Sequence, residues 1–178
     1  MRRNTIIWLG SLLLAILLAA GCGVLTQNAA SRKADKHRIA MEVHQRLNER
    51  HFKFVPERIF PTRGTGRHIG GEGYSLVIDG QKIKSHLPFE GVAYGVPYGG
   101  GKVFTFEDEL KSFEEVAGTP DSRVFEFSTD NGEDLINYRL TVYANGGANM
   151  DVRSRNRSQV SYRGAVSPDI PGKEQPEE

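Results

Sequence analysis

Tyr74-Ser-Leu-Val-Ile-Asp-Gly-Gln-Lys-Ile-Lys-Ser-His-Leu87 is the stretch that decides the fold class. Its two apolar runs flank Asp79-Gly80, and a short Asp-Gly pair between such runs is a strong hairpin signal, because glycine accepts the left-handed backbone that the turn requires. Further runs stand at Val103–Phe106, Phe113–Val116, Val124–Phe127, Ile136–Tyr143, Ala148–Val152 and Gln159–Val166. The separators Gly118-Thr-Pro-Asp121, Asp130-Asn-Gly132 and Asn145-Gly-Gly147 are of turn composition. Short strands at this spacing predict a mainly β, antiparallel meander that forms a sandwich or an incomplete barrel. Upstream, Phe52, Phe54 and Val55 open another strand, which Pro56 and Pro61 should confine to an edge or a broken run.

Before the strands, residues 31–50 read as an N-terminal helix. Ser31 is a candidate N-cap, and Ile39, Ala40, Val43 and Leu47 recur at helical spacing as far as Arg50. Its first turns carry Arg32, Lys33, Lys36 and Arg38 against Asp35 alone, a cationic end suited either to anionic head groups or to plain solvent. The antiparallel β domain then occupies 51–167. Residues 168–178 form a polar tail, expected to be disordered. A chain of 178 residues with 38% apolar content can bury one core after its ends are subtracted, so one domain is expected.

Residues 1–21 have the three parts of a secretory signal peptide: Arg2-Arg3, an uncharged apolar run from Ile6 to Leu18, and small residues before a break. The run is shorter than the ~20 apolar residues that span a bilayer. Asn4-Thr5-Ile6 lacks the remainder of a twin-arginine export signal. Ala19-Ala20-Gly21-Cys22 resembles the lipobox of bacterial lipoproteins, departing from it at Ala19, where leucine is usual. That resemblance implies acylation of the Cys22 sulfur, cleavage before it, and a lipidated linker over 22–30. Cys22 is the only cysteine, so no disulfide forms within the molecule. Losing Arg2 and Arg3 leaves 21 basic residues against 22 acidic ones, which gives no basic excess for nucleic acid.

A lipobox, a basic helix, His51-Phe-Lys-Phe-Val-Pro-Glu-Arg58, the hairpin Tyr74–Phe89, a Gly-rich stretch and Leu140-Thr-Val-Tyr-Ala-Asn-Gly-Gly147 with Tyr162-Arg-Gly164 follow in that order. The pattern resembles the small Gram-negative lipoproteins of domain of unknown function 4251, over roughly residues 38–168. The resemblance implies an envelope location and a β fold, and it supplies no catalytic residues.

Motifs for chemistry are weak throughout. His37, His44 and His51 fall seven apart, a rise of ~10.5 Å on a helix, whereas helical zinc ligands usually stand four apart. His68 and His86 have no partner at ligand spacing. In Gly64-Thr-Gly-Arg-His-Ile-Gly70 the third glycine comes one residue late for a dinucleotide fingerprint, and no βαβ unit accompanies it. Gly99-Gly-Gly-Lys102 lacks the earlier glycine of a phosphate loop, having Val96 there, and Val103 replaces its Ser or Thr. The acidic groups Glu107-Asp-Glu109, Glu114-Glu115 and Asp130–Asp134 admit acid–base or calcium chemistry, but the last is what a hairpin turn selects. Arg153, Arg155, Arg157 and Arg163 alternate with polar residues like the solvated face of a strand. No catalytic residue, cofactor or metal is therefore assigned, and the expectation is a non-enzyme.

The Gly-rich loop from Gly91 to Gly101 holds five glycines, an ordering cost that a plain strand connection of ~2–5 residues avoids. Tyr94 and Tyr98 flank Pro97, and with Gly99 and Lys102 they are the candidate ligand- or partner-binding residues. The competing reading has the two rings closing the open end of the core. The resulting expectation is a periplasmic interaction module, held to the membrane by lipid on Cys22 and facing an envelope protein or cell-wall partner. The alternative is a carbohydrate or small-molecule binder using the same loop, although Trp8 leaves with the leader. Gly23 is not the aspartate associated with inner-membrane retention, so the periplasmic face of the outer membrane is expected.

Overall fold

The computed structural model describes residue 38 and residues 41–94, 103–132 and 134–167. Two compact units divide the chain, Met1–Arg38 and Ile39–Glu178, and the elements below belong to the second. A helix, α1, covers 41–49. Nine strands follow: β1 His51–Pro61, β2 Arg67–His68, β3 Ser75–Asp79, β4 Lys82–Pro88, β5 Val103–Thr119, β6 Ser122–Asp130, β7 Leu135–Tyr143, β8 Gly147–Ser154 and β9 Val160–Ser167. The predicted mainly β, antiparallel meander after a helix is what the chain adopts. Of the two arrangements left open, the sheet takes the barrel, and it closes: β3 to β9 pair in sequence, and β1 lies between β3 and β9.

Closure corrects the expectation for β1, which is neither an edge nor broken. Its first residues pair with β3 as far as Phe54, β2 joins at Arg58, and β9 runs along the other side from Lys53 to Pro61. Pro56 falls in the gap between Phe54 and Arg58, where neither β3 nor β2 is present to receive the N–H that proline lacks. A bulge between Pro56 and Arg58 accommodates the shift. Opposite it stands Gly164, and a Cβ there would lie 2.0 Å from the Val55 carbonyl oxygen and 2.8 Å from the Pro56 Cα. Only a residue without a side chain lets the two backbones approach so closely.

The predicted runs Val103–Phe106 and Phe113–Val116 are parts of one strand, β5. Glu107 and Glu109, which look like a break in the sequence, occupy its solvent-facing positions opposite Lys84 and Lys82. Period-two alternation lets a charged stretch continue a strand at no burial cost. The turns behave as composition predicts: Gly80 has φ 65° in the β3–β4 hairpin, and the Asn145 side chain accepts the Gly147 N–H at 3.0 Å.

Eight strands enclose a space that side chains can fill. One row of register partners runs Phe125, Leu140, Met150, Tyr162 and Ile59 from β6 through the closure to β1, and every member is buried. Beside it Phe113, Phe127 and Tyr138 stack with centroid separations of 5.6 and 4.9 Å. Each such ring removed from water contributes roughly 1.5–3 kcal/mol. Burial pushes the Tyr138 phenol well above its ordinary range, so it stays protonated.

α1 closes one end of the barrel through Val43 and Leu47, both buried. It stops at Arg50, whose φ of 56° is left-handed, and the Arg50 carbonyl accepts the Gly80 N–H at 2.8 Å. Arg123, at the start of β6, fastens the helix. Its guanidinium donates to both Glu115 oxygens at 2.7 Å, to Asn48 Oδ1 at 2.6 Å and to the His44 carbonyl at 3.3 Å, and lies 4.9 Å from the Phe125 centroid. Arg123→Ala should therefore cost about 2 kcal/mol, read by chemical denaturation, since several charge-assisted bonds go together. The hydrogen bond from Arg123 holds the Glu115 carboxyl below its ordinary pKa against the opposing effect of burial. A depressed folded pKa contributes stability above the unfolded value of ~4.3 and loses it as pH falls through the folded pKa. The difference between native chain and Arg123→Ala should thus shrink below about pH 4.

Candidate functional site at the barrel mouth

The end opposite α1 is the mouth, formed by the segments β1–β3, β4–β5, β6–β7 and β8–β9. Its inner layer is closed. Phe89 and Phe104 meet edge to face at 5.3 Å, and the Arg157 guanidinium covers them at 5.1 and 4.6 Å. Beneath, the buried Tyr162 hydroxyl donates to the Pro88 carbonyl at 2.6 Å, and burial raises its pKa well above the ordinary value. Two further latches hold the rim. Arg67 in β2 pairs with Glu72 at 3.0 Å and with Glu90, and the Asp134 carboxylate accepts the Ser154 hydroxyl and, at 3.0 Å, the Arg155 N–H.

Residues 91–94 leave β4 and cross to the β8–β9 turn, where Ala93 pairs with Arg157. The Tyr94 N–H donates to the Asn156 carbonyl at 2.8 Å, the Ser158 N–H to the Val92 carbonyl at 2.9 Å, and the Val92 N–H to Ser158 Oγ at 3.1 Å. Despite this anchoring, the side chains stand in solvent: Tyr94 is 73% exposed and Val92 46%. Tyr94 therefore does not close the core, a task that Phe89, Phe104 and Arg157 perform. Tyr98, Gly99 and Lys102 lie outside the described residues, as do Cys22 with its leader and linker, the Ser31 cap and the 168–178 tail.

Sequence reasoning missed the other half of this site. Arg153, Arg155, Arg157 and Arg163 do not share one strand face: Arg153 is the last residue but one of β8, Arg155 and Arg157 belong to the turn, and Arg163 lies in β9. The run from Ser154 to Ser158 holds no apolar residue to sustain an alternation, and that is the signal in the sequence that marks a turn. The carboxylates of the 130–134 turn hold backbone, with Asp130 Oδ1 accepting the Gly132 N–H at 3.3 Å and Asp134 the latch above. Among the described residues no three His, Cys, Asp or Glu side chains gather as metal ligands. The mouth offers contact area and hydrogen bonds, and Arg67 on its rim is shared between the carboxylates of Glu72 and Glu90.

A family model, domain of unknown function (DUF4251), matches residues 34–166. The chain belongs to this family. A crystal structure of a DUF4251 family protein from Bacteroides eggerthii DSM 20697 at 1.95 Å resolution is similar in fold, with a TM-score of 0.62 at 14% identity. The similarity covers 76% of this chain and 91% of that one. No curated protein sequence matches. Membership of DUF4251 accounts for the barrel and its preceding helix, and it brings no reaction with it.

Proposed function

We propose that this DUF4251 chain is a lipid-anchored, non-enzymatic interaction module of the bacterial envelope that uses the barrel mouth to hold an envelope protein or cell-wall partner. The observation that carries the proposal is the exposed pair Tyr94 and Val92 on a segment fixed by three hydrogen bonds to the β8–β9 turn. An aromatic and an aliphatic side chain presented on a rigid backbone lose little entropy on binding, which favours their use as contacts. The leader and the Ala19-Ala20-Gly21-Cys22 break support the anchor. Gly23 favours the periplasmic face of the outer membrane, and protease added to unbroken cells should leave the domain intact.

Tyr94→Ala should remove most crosslinking to the partner in intact cells while the melting temperature moves by no more than about 1 °C, because an exposed side chain contributes little to stability. Retained crosslinking, or a fall of several degrees, would overturn this use of the mouth.

A further inference from the structure

On the outer wall, β5 to β8 form a groove of about 470 Å³, whose Arg153 end adjoins the β8–β9 turn. Its floor includes Phe127 and Tyr138, whose rings are buried in the core, so the groove itself is polar. Along the register, Glu114, Glu126, Arg139 and Asp151 are successive cross-strand neighbours, and Asn137 and Arg153 form the next row. Glu114 stands directly opposite Glu126, and like charges in that relation destabilise a sheet. Arg139 pairs with Glu126, while Glu114 meets no cation among the described residues. Arg153 donates its Nε–H to Gln159 at 3.0 Å and presents the rest of its guanidinium to the groove.

We propose that this groove binds a short peptide with free amino and carboxyl ends. The ammonium sits between Glu114 and Glu126 and relieves their opposition, the Asn137 amide meets the peptide backbone, and the carboxylate takes the free edge of Arg153. Spacing sets the length. Two and a half interstrand steps of ~4.8 Å from between β5 and β6 to β8, with an offset of one residue pair along the strand, separate the acid pair from Arg153 by roughly 14 Å. Allowing for side-chain reach leaves roughly 10 Å, the extended length of a tripeptide. A volume of this size also suits a ligand of that mass. The absence of an aromatic platform in the groove favours a peptide over a sugar.

The test is calorimetric titration of the full-length chain in detergent with tri-alanine, N-acetyl-tri-alanine and tri-alanine amide. Tri-alanine should bind saturably, and acetylation or amidation should each weaken it about tenfold, the worth of one charge-assisted contact. Glu114→Gln should weaken tri-alanine by a similar factor and abolish the effect of acetylation, and Arg153→Gln should do the same for amidation. Both positions are exposed, so neither substitution should lower the melting temperature, Glu114→Gln raising it slightly by removing the like-charge pair, and the modified peptides test the native chain without any variant. Absence of saturable binding, or an acetylation effect that persists in Glu114→Gln, would overturn the proposal. Tyr94→Ala should bind tri-alanine like the native chain. If Tyr94→Ala abolishes binding, the peptide sits at the mouth and the groove is not its site.

Discussion

Gly164→Ala should lower the melting temperature by roughly 10 °C, from a cost of about 3 kcal/mol for forcing a methyl group into a packed backbone contact. The added Cβ would meet the Val55 carbonyl oxygen at 2.0 Å and the Pro56 Cα at 2.8 Å. Neither atom belongs to a flexible side chain, so relief requires β1 and β9 to separate along the pairing that closes the barrel. Gly147→Ala is the matched control in the same sheet, because the Cβ there meets only the Asn145 side chain, at 3.0 Å. A Gly164→Ala chain that melts with the native one would mean that β1 and β9 do not pair as described. The carbonyl at Val55 and the proline beside it are also why the closure was invisible in the sequence: Pro56 looks like a terminator of pairing, and it becomes permissible only because β3 ends and β2 begins on either side of it.

Cys22→Ser should yield a chain that keeps residues 1–21 and carries no lipid, since signal removal in the lipoprotein pathway follows acylation of the sulfur. Intact-mass measurement of membrane and soluble fractions reads both outcomes at once. The effect should be close to complete, because a serine hydroxyl does not replace the thiolate as nucleophile at ordinary pH. A Cys22→Ser chain cleaved at the normal position and released to the periplasm would remove the anchor from the account.

The parts of the fold that were legible in sequence are those set by local chemistry. Asp79-Gly80 and Asn145-Gly-Gly147 specify turns through backbone conformation and side-chain capping, and the register of the hairpins follows from them. Long-range features were less legible. Charged residues Glu107 to Glu109 hid the continuity of β5, because a charge on the outer face of a strand reads like a break until its alternation with Phe104 and Phe106 is placed on a barrel. Of the candidate site, Tyr94 stood out through the glycines around it, whereas the residues that hold its backbone, Asn156, Arg157 and Ser158, lie more than sixty residues later and carry no local mark. The groove on the outer wall depends on four strands in register, which no single stretch encodes.

The claim that the mouth is the working surface is tested most directly by photo-crosslinking in intact cells. A benzophenone side chain replaces Tyr94 in one strain and Tyr143, which is exposed at the α1 end of the barrel, in another. Position 94 should give a discrete crosslinked species that position 143 does not give and that disappears when Cys22→Ser is added. Equal crosslinking from the two ends, or none from position 94, would contradict the account.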